Sequence, residues 1–330
     1  MPLAPAALAM VIMLGSGAPA LAAGARDAGP LESAWALARE LRPVRAAPQG
    51  PGACLFAGSG GGPASAQAVA AALSRSRAVS VGETHDQAGD HLAQLEVLRA
   101  LAASRADQVA VGFEMLNESL QGVLDDYASG KLSESEFLRA ADWQNEWGFP
   151  FPLYKPLFDF VREHRLKALA LNAPRGLVAK TARVGLEGLS PEERARLPRD
   201  MALSQDPRYL DFLKAAFGGH GAAAREFRSL AMPGVTWEHY LQAMMIWNEV
   251  MSANAAGYLD AHPDGALLVA AGNGHVMYGA GIPFGISRRA PGAGQTTFFT
   301  EGRSDCPSAL PADLSGLADF VWLVPHSARP

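Results

Sequence analysis

The sequence predicts an α/β fold: a mostly parallel central sheet flanked by helices, with an inserted helical layer. Three observations carry that expectation. Short apolar runs such as Val79 to Val81, Gln108 to Met115 and Leu267 to Ala271 alternate with longer segments of helical periodicity, which is the pattern of strand–helix–strand units. Several of these runs end directly in polar, chemistry-bearing residues, and ligands of open α/β sheets bind just beyond the carboxyl ends of strands. The chain has 330 residues, 49% hydrophobic and 18% charged, so it is long enough to bury a large core and too apolar to stay disordered.

Residues 1–23 read as a cleaved signal peptide, with an apolar run from Ala6 to Leu14 and a small-residue segment ending Ala20-Leu21-Ala22. That run is shorter than the roughly 20 apolar residues needed to span a bilayer. No cysteine follows it closely, so no stable membrane anchor is expected and the mature protein is expected to be periplasmic or secreted. Residues 24–76 form a lead-in segment with a helix over Leu31 to Leu41, a Gly/Ala/Ser-rich stretch and a helix from Ser65 to Ser74. Residues 77–303 form the main domain, and residues 304–330 a carboxyl-terminal segment packing on it. Cys54 and Cys306 flank that domain; in an oxidising compartment they either pair or remain two free thiols, which a Cα separation decides.

Within the domain, Val79 and Val81 lead into Gly82, and Glu83, His85, Asp86 and His91 follow at once. His91 to Ala103 is a helix with Leu92, Leu95, Leu98 and Leu101 on one face. The strand Gln108 to Met115 ends in Glu114, a carboxylate that needs a partner if buried; an arginine salt bridge and a site role are both open. Leu116 to Ala140 is helical, broken at Ser129-Gly130, with Ser133 as N-cap. Pro150 and Pro152 exclude a regular helix from the aromatic segment Trp143 to Tyr154, and Lys155 to His164 is the helix after it. Leu166 to Leu171 is a strand ending at Asn172 and Arg175, the latter a group able to orient Glu114. Residues 176–230 supply the helical layer, with interruptions at Pro191, Pro198 and Pro207 and His220 in a Gly-rich, solvent-exposed turn. Trp237 to Ala261 carries a stripe of Trp237, Tyr240, Met244, Trp247 and Met251, read as core with a cofactor-pocket wall as the minority reading. The strand ending at Ala271 opens a second Gly-X-X-His, Gly272 to His275, and two more strands follow at Thr296 to Thr300 and Phe320 to Val324.

Two strand ends thus deliver Gly-X-X-His, and Glu83 and Glu114 accompany them. His85, His275, Glu83 and Glu114 suit a divalent metal such as Zn or Mn, or a metal-free acid/base pair. HEXXH, phosphate-loop and GXSXG motifs are absent from the sequence. A net charge of −5 with scattered basic residues gives no footprint for nucleic acid.

The ordered runs GETHDQAGDH, FEM, the Trp-rich loop with Tyr154, LNAPR and GNGHVMYGAGIP resemble the ChaN-like haem-binding uptake family of the Tiki, TraB and erythromycin-esterase-like superfamily, over residues 78–300. The resemblance implies haem as cofactor and partner, a role in haem or iron acquisition, and a tyrosine ligand at a homodimer interface, for which Tyr278 and Tyr154 both stand as candidates. It also implies a superfamily site at His85, His275, Glu83 and Glu114, supported by Arg175. The alternative it implies is a metal-dependent hydrolase of the Tiki type, with Glu83 or Glu114 as base and Arg175 assisting.

Overall fold

Seven strands form one sheet in a computed structural model that describes residues 54–105, 108–218 and 234–325. The expected signal segment, the helix expected over Leu31 to Leu41 and His220 lie outside the described residues. The strands are β1 (Leu55–Ala57), β2 (Ala78–Val81), β3 (Val109–Asn117), β4 (Lys167–Asn172), β5 (Ala266–Ala270), β6 (Gln295–Arg303) and β7 (Phe320–Pro325), in the order β1-β7-β6-β2-β5-β3-β4. Only the β1–β7 pairing among these is antiparallel. The expected α/β architecture with a mostly parallel sheet is therefore the one found.

β2, β3 and β5 are buried along their whole length, as strands covered on both faces must be. Side-chain alternation divides them between two cores. Val79, Val81, Val111, Phe113 and Leu268 pack with Leu95, Leu98 and Leu101 of helix α2 (Ala88–Arg105), each buried leucine contributing about 1.5–3 kcal/mol. Ala78, Ala110, Leu267 and Val269 pack on the opposite face with Met251, Ala255 and Leu259 of a 25-residue helix, Trp237–Ala261. Leu92 points away from both cores and is 42% exposed; the apolar face of α2 turns through Val97 instead.

Helix α1 (Ala66–Arg75) precedes β2, with Ser65 capping it through its hydroxyl. After β3 come α3 (Gln121–Ala128), α4 (Glu134–Ala140), α5 (Trp143–Glu146) and α6 (Phe151–Glu163). Ser133 caps α4 in a capping box with Glu136. The aromatic segment departs from expectation: α6 begins at Phe151, so Pro152 and Tyr154 are helical. Proline in a first turn removes an N–H that would have no intrahelical partner, and Pro156 in the next turn removes one backbone bond. The helical layer consists of α7 (Arg175–Val184), α8 (Pro191–Ala195) and α9 (Pro207–Phe217), packed with α10, the Trp237–Ala261 helix. Neither helix α11 (Ile282–Arg289) nor β1 is anticipated from the sequence.

Cys54 and Cys306 form a disulfide with Cα atoms 5.3 Å apart. It ties the start of β1 to the segment between β6 and β7, which packs back on the domain through Gly316 N–H to Gly58 C=O (2.7 Å) and Gly58 N–H to Asp319 C=O (2.8 Å).

Candidate functional site

β5 lies between β2 and β3, so the carboxyl ends of all three meet. Beyond the ladder, Asn273 N–H donates to the Glu83 carbonyl at 2.8 Å, joining the two Gly-X-X-His turns directly. The Asn273 amide then reaches β6, donating to the Thr300 carbonyl at 2.7 Å and accepting from Thr300 N–H at 3.2 Å. A β-carbon at Gly82 would stand 2.1 Å from Asn273 Oδ1, which is why the first turn opens with glycine.

Glu83 is fully buried. Oε1 accepts from His85 Nδ1 at 2.8 Å and from the Tyr154 hydroxyl at 3.3 Å, and Oε2 faces His91 Nδ1 at 2.5 Å. His91 Nε2 also donates to the His85 carbonyl at 3.2 Å. A carbonyl only accepts, so both His91 nitrogens face acceptors and the ring is an imidazolium paired with the carboxylate. Burial opposes the Glu83 charge, but His91 and His85 outweigh it and hold the carboxyl at about 2. Burial likewise opposes the His91 charge, and Glu83 lifts that imidazole above its ordinary value. Asp90 is buried beside them and accepts Thr84 N–H at 2.7 Å; burial dominates and pushes it up to about 6.

Glu114 enters from the other side of β5. The β3–β4 register shifts between Phe113 and Asn117, an irregularity of the kind that re-aims a side chain. Oε2 accepts Gly272 N–H at 2.6 Å and Oε1 faces His275 Nε2 at 3.2 Å. Burial opposes its charge, and the adjacent His275 outweighs that, holding Glu114 below the usual carboxylate range. His275 Nδ1 lies 2.7 Å from Asn248 Oδ1, and Asn248 Nδ2 donates to the Tyr209 hydroxyl at 2.9 Å. Asn172 supports this end by donating to the Glu114 carbonyl at 2.8 Å.

Each motif histidine also meets an indole. His85 packs edge-on against Trp147 with ring centroids 4.7 Å apart and touches Phe149 at 5.0 Å. His275 packs edge-on against Trp247 at 5.7 Å, so one residue of the α10 stripe borders the site while Tyr240, Met244 and Met251 are core.

A family model described as haem-binding uptake, Tiki superfamily, ChaN matches residues 69–286. The chain belongs to this family. A solved structure of Campylobacter jejuni ChaN, with haem bound cofacially, superposes with a TM-score of 0.57 at 17% identity, covering 79% of this chain and 92% of that one. The erythromycin esterase EreC, as a mutant in its open conformation, gives 0.44 at 15% identity over 79% of each chain. The type III effector HopBA1 gives 0.45 at 12% identity, over 79% of this chain and 93% of its own. At such identities the likeness to ChaN shows a shared fold. No curated protein sequence matches the chain.

In this member of the ChaN family, the residues expected at the site divide. Glu83 with His85 and Glu114 with His275 form two carboxylate–imidazole pairs at one end of the sheet. Among the described residues, no group of three or more His, Cys, Asp or Glu side chains is arranged to hold a metal ion. Arg175 is exposed and donates to the carbonyls of Asn145 and Glu146, whereas Glu114 takes its partners from Gly272 and His275. Asp86 is exposed and accepts a hydrogen bond from the side chain of the adjacent Gln87. Tyr154 is fully buried, its hydroxyl also donating to the His85 carbonyl at 3.1 Å. Tyr278 is half-buried at φ 58°, with its N–H donating to Leu317 C=O at 2.6 Å and Arg208 over its ring at 4.8 Å. Asn248 and Tyr209 were missed, since an amide and a phenol inside helical stripes give no sequence signal. His91, visible in the first motif, belongs to the site.

Proposed function

We propose that this chain is an exported haem-binding protein of haem or iron acquisition, taking haem at the strand-end site with Tyr278 as the axial ligand. The observation that carries the reading is the placement of Tyr278. Its phenol is partly accessible, three residues past the buried His275, on left-handed backbone that a non-glycine residue adopts only when held there. Burial raises its phenol above the ordinary value, and the Arg208 guanidinium over the ring offsets part of that rise; a phenolate is the form that binds ferric iron. Haem, when bound, supplies that ferric centre. The fully buried Tyr154, held above its ordinary value by burial and the Glu83 charge, fits the ligand role poorly. The Campylobacter jejuni ChaN, whose fold this chain shares, carries cofacial haem, which supports haem as ligand; a homodimer as the binding form is part of the same proposal. Export follows from the reading of residues 1–23.

Hemin titration followed in the Soret region tests the proposal. Wild type is expected to give a shifted Soret band at micromolar hemin, Tyr278→Phe to lose that shift, and Tyr154→Phe to keep it. A wild-type protein that gives no band overturns the haem reading.

The two Glu–His pairs favour one other reading, a hydrolase of the Tiki type that uses Glu83 and Glu114 as acid/base groups. Metal analysis and an ester- or peptide-hydrolysis screen test it. Hydrolysis that disappears in His85→Ala supports it, and its survival in that variant overturns it.

A further inference from the structure

We propose that Asn248 and Tyr209 are positioning residues for His275: they fix its ring so that Nδ1 carries a proton and Nε2 is turned to Glu114. The argument rests on donor and acceptor direction along a buried chain. Asn248 is 4% exposed and Tyr209 fully buried. Asn248 Nδ2 donates to the Tyr209 hydroxyl at 2.9 Å, which leaves its oxygen as the atom facing His275. That oxygen accepts only, and it lies 2.7 Å from Nδ1, so Nδ1 must bear hydrogen whatever the charge of the ring. The opposite nitrogen then faces Glu114 Oε1 at 3.2 Å, and Glu114 is itself fixed by Gly272 N–H. Both ring nitrogens of His275 are thereby engaged by protein atoms. A metal or iron would have to break one of these contacts to claim the ring. A histidine oriented by a hydrogen bond at its second nitrogen is a general device for setting the tautomer; here the orienting pair comes from two helices, α10 and α9, remote from both motifs.

The inference rests on the strand-end reading of the site, and its readout needs no haem, so a failure of haem binding leaves it testable. The full chain labelled with ¹⁵N-histidine is examined at pH 7 by ¹⁵N–¹H correlation of imidazole groups, with His275→Gln assigning the signal. Wild type is expected to show a downfield, exchange-protected Nδ1–H for His275. Asn248→Leu is expected to abolish it, Asn248→Asp to retain it because a carboxylate accepts in the amide oxygen's place, and Tyr209→Phe to speed its exchange several-fold. A His275 protonated only at Nε2, or an Nδ1–H unchanged in Asn248→Leu, overturns the proposal. If Asn248→Leu fails to fold, the other two variants decide: an unchanged exchange rate in Tyr209→Phe, or loss of the signal in Asn248→Asp, overturns it equally.

Discussion

Gly82 and Asn273 stand so close that a β-carbon on the glycine would lie 2.1 Å from the amide oxygen of the asparagine. The contact joins the two Gly-X-X-His turns where they leave adjacent strands, and Asn273 cannot retreat because Thr300 holds its amide at both ends. Gly82→Ala is therefore expected to destabilise the fold by about 1–3 kcal/mol, the usual result of overpacking a rigid interior. Urea denaturation measures this; an unchanged midpoint would show that the two turns yield readily.

The Glu83–His91 pair should be legible in the pH dependence of stability. Glu83 titrates at about 2 in the fold against an ordinary 4.5, so its contribution is present above 4.5 and lost as pH falls toward 2. His91 is raised above its ordinary 6.5, so its contribution is complete below 6.5 and lost as pH rises through the folded value. Their joint stabilisation is largest between about 4.5 and 6.5. Glu83→Gln leaves His91 without its counterion and is expected to cost about 3–5 kcal/mol in that window, with less loss near pH 2. Chemical denaturation across the pH series checks the slope.

Asp90 carries the opposite sign. Its folded value of about 6 lies above the ordinary 3.8, so the folded state holds an extra proton between them and stability falls as pH rises through that interval. Asp90→Asn keeps an acceptor for Thr84 N–H and removes the buried charge. It is expected to stabilise the protein at pH 8 by about 1–3 kcal/mol and to change little at pH 4. A variant less stable at pH 8 would mean that the carboxylate is required in place.

The Cys54–Cys306 bond closes a loop across a sequence separation of 252 residues. Its removal in a Cys54→Ser, Cys306→Ser double variant is expected to cost about 2–5 kcal/mol. The amide of Tyr278 should exchange faster as well, because its acceptor Leu317 lies in the segment that the disulfide anchors. Hydrogen exchange read at Tyr278 separates this local loosening from a global loss.

The sequence by itself determined the α/β class, the strand ends that bear Glu83, His85, Glu114 and His275, the N-cap at Ser133 and the family. These are local signals: an apolar run, the polar residues that terminate it and the order in which such runs occur. The same locality misled at Pro152, where a first-turn position makes proline harmless, and at Leu92, where periodicity marks a face without saying where it ends. Only the tertiary structure decided that β5 lies between β2 and β3, which brings residues far apart in sequence to one sheet end. It also decided which groups meet there: Glu83 with His91 as well as His85, Glu114 with His275, and Asn248 and Tyr209 behind them, with Arg175 directed elsewhere. Strand order and helix packing set those partners, and they follow from how two hydrophobic faces of one sheet are covered, a property of the whole chain that no single motif contains.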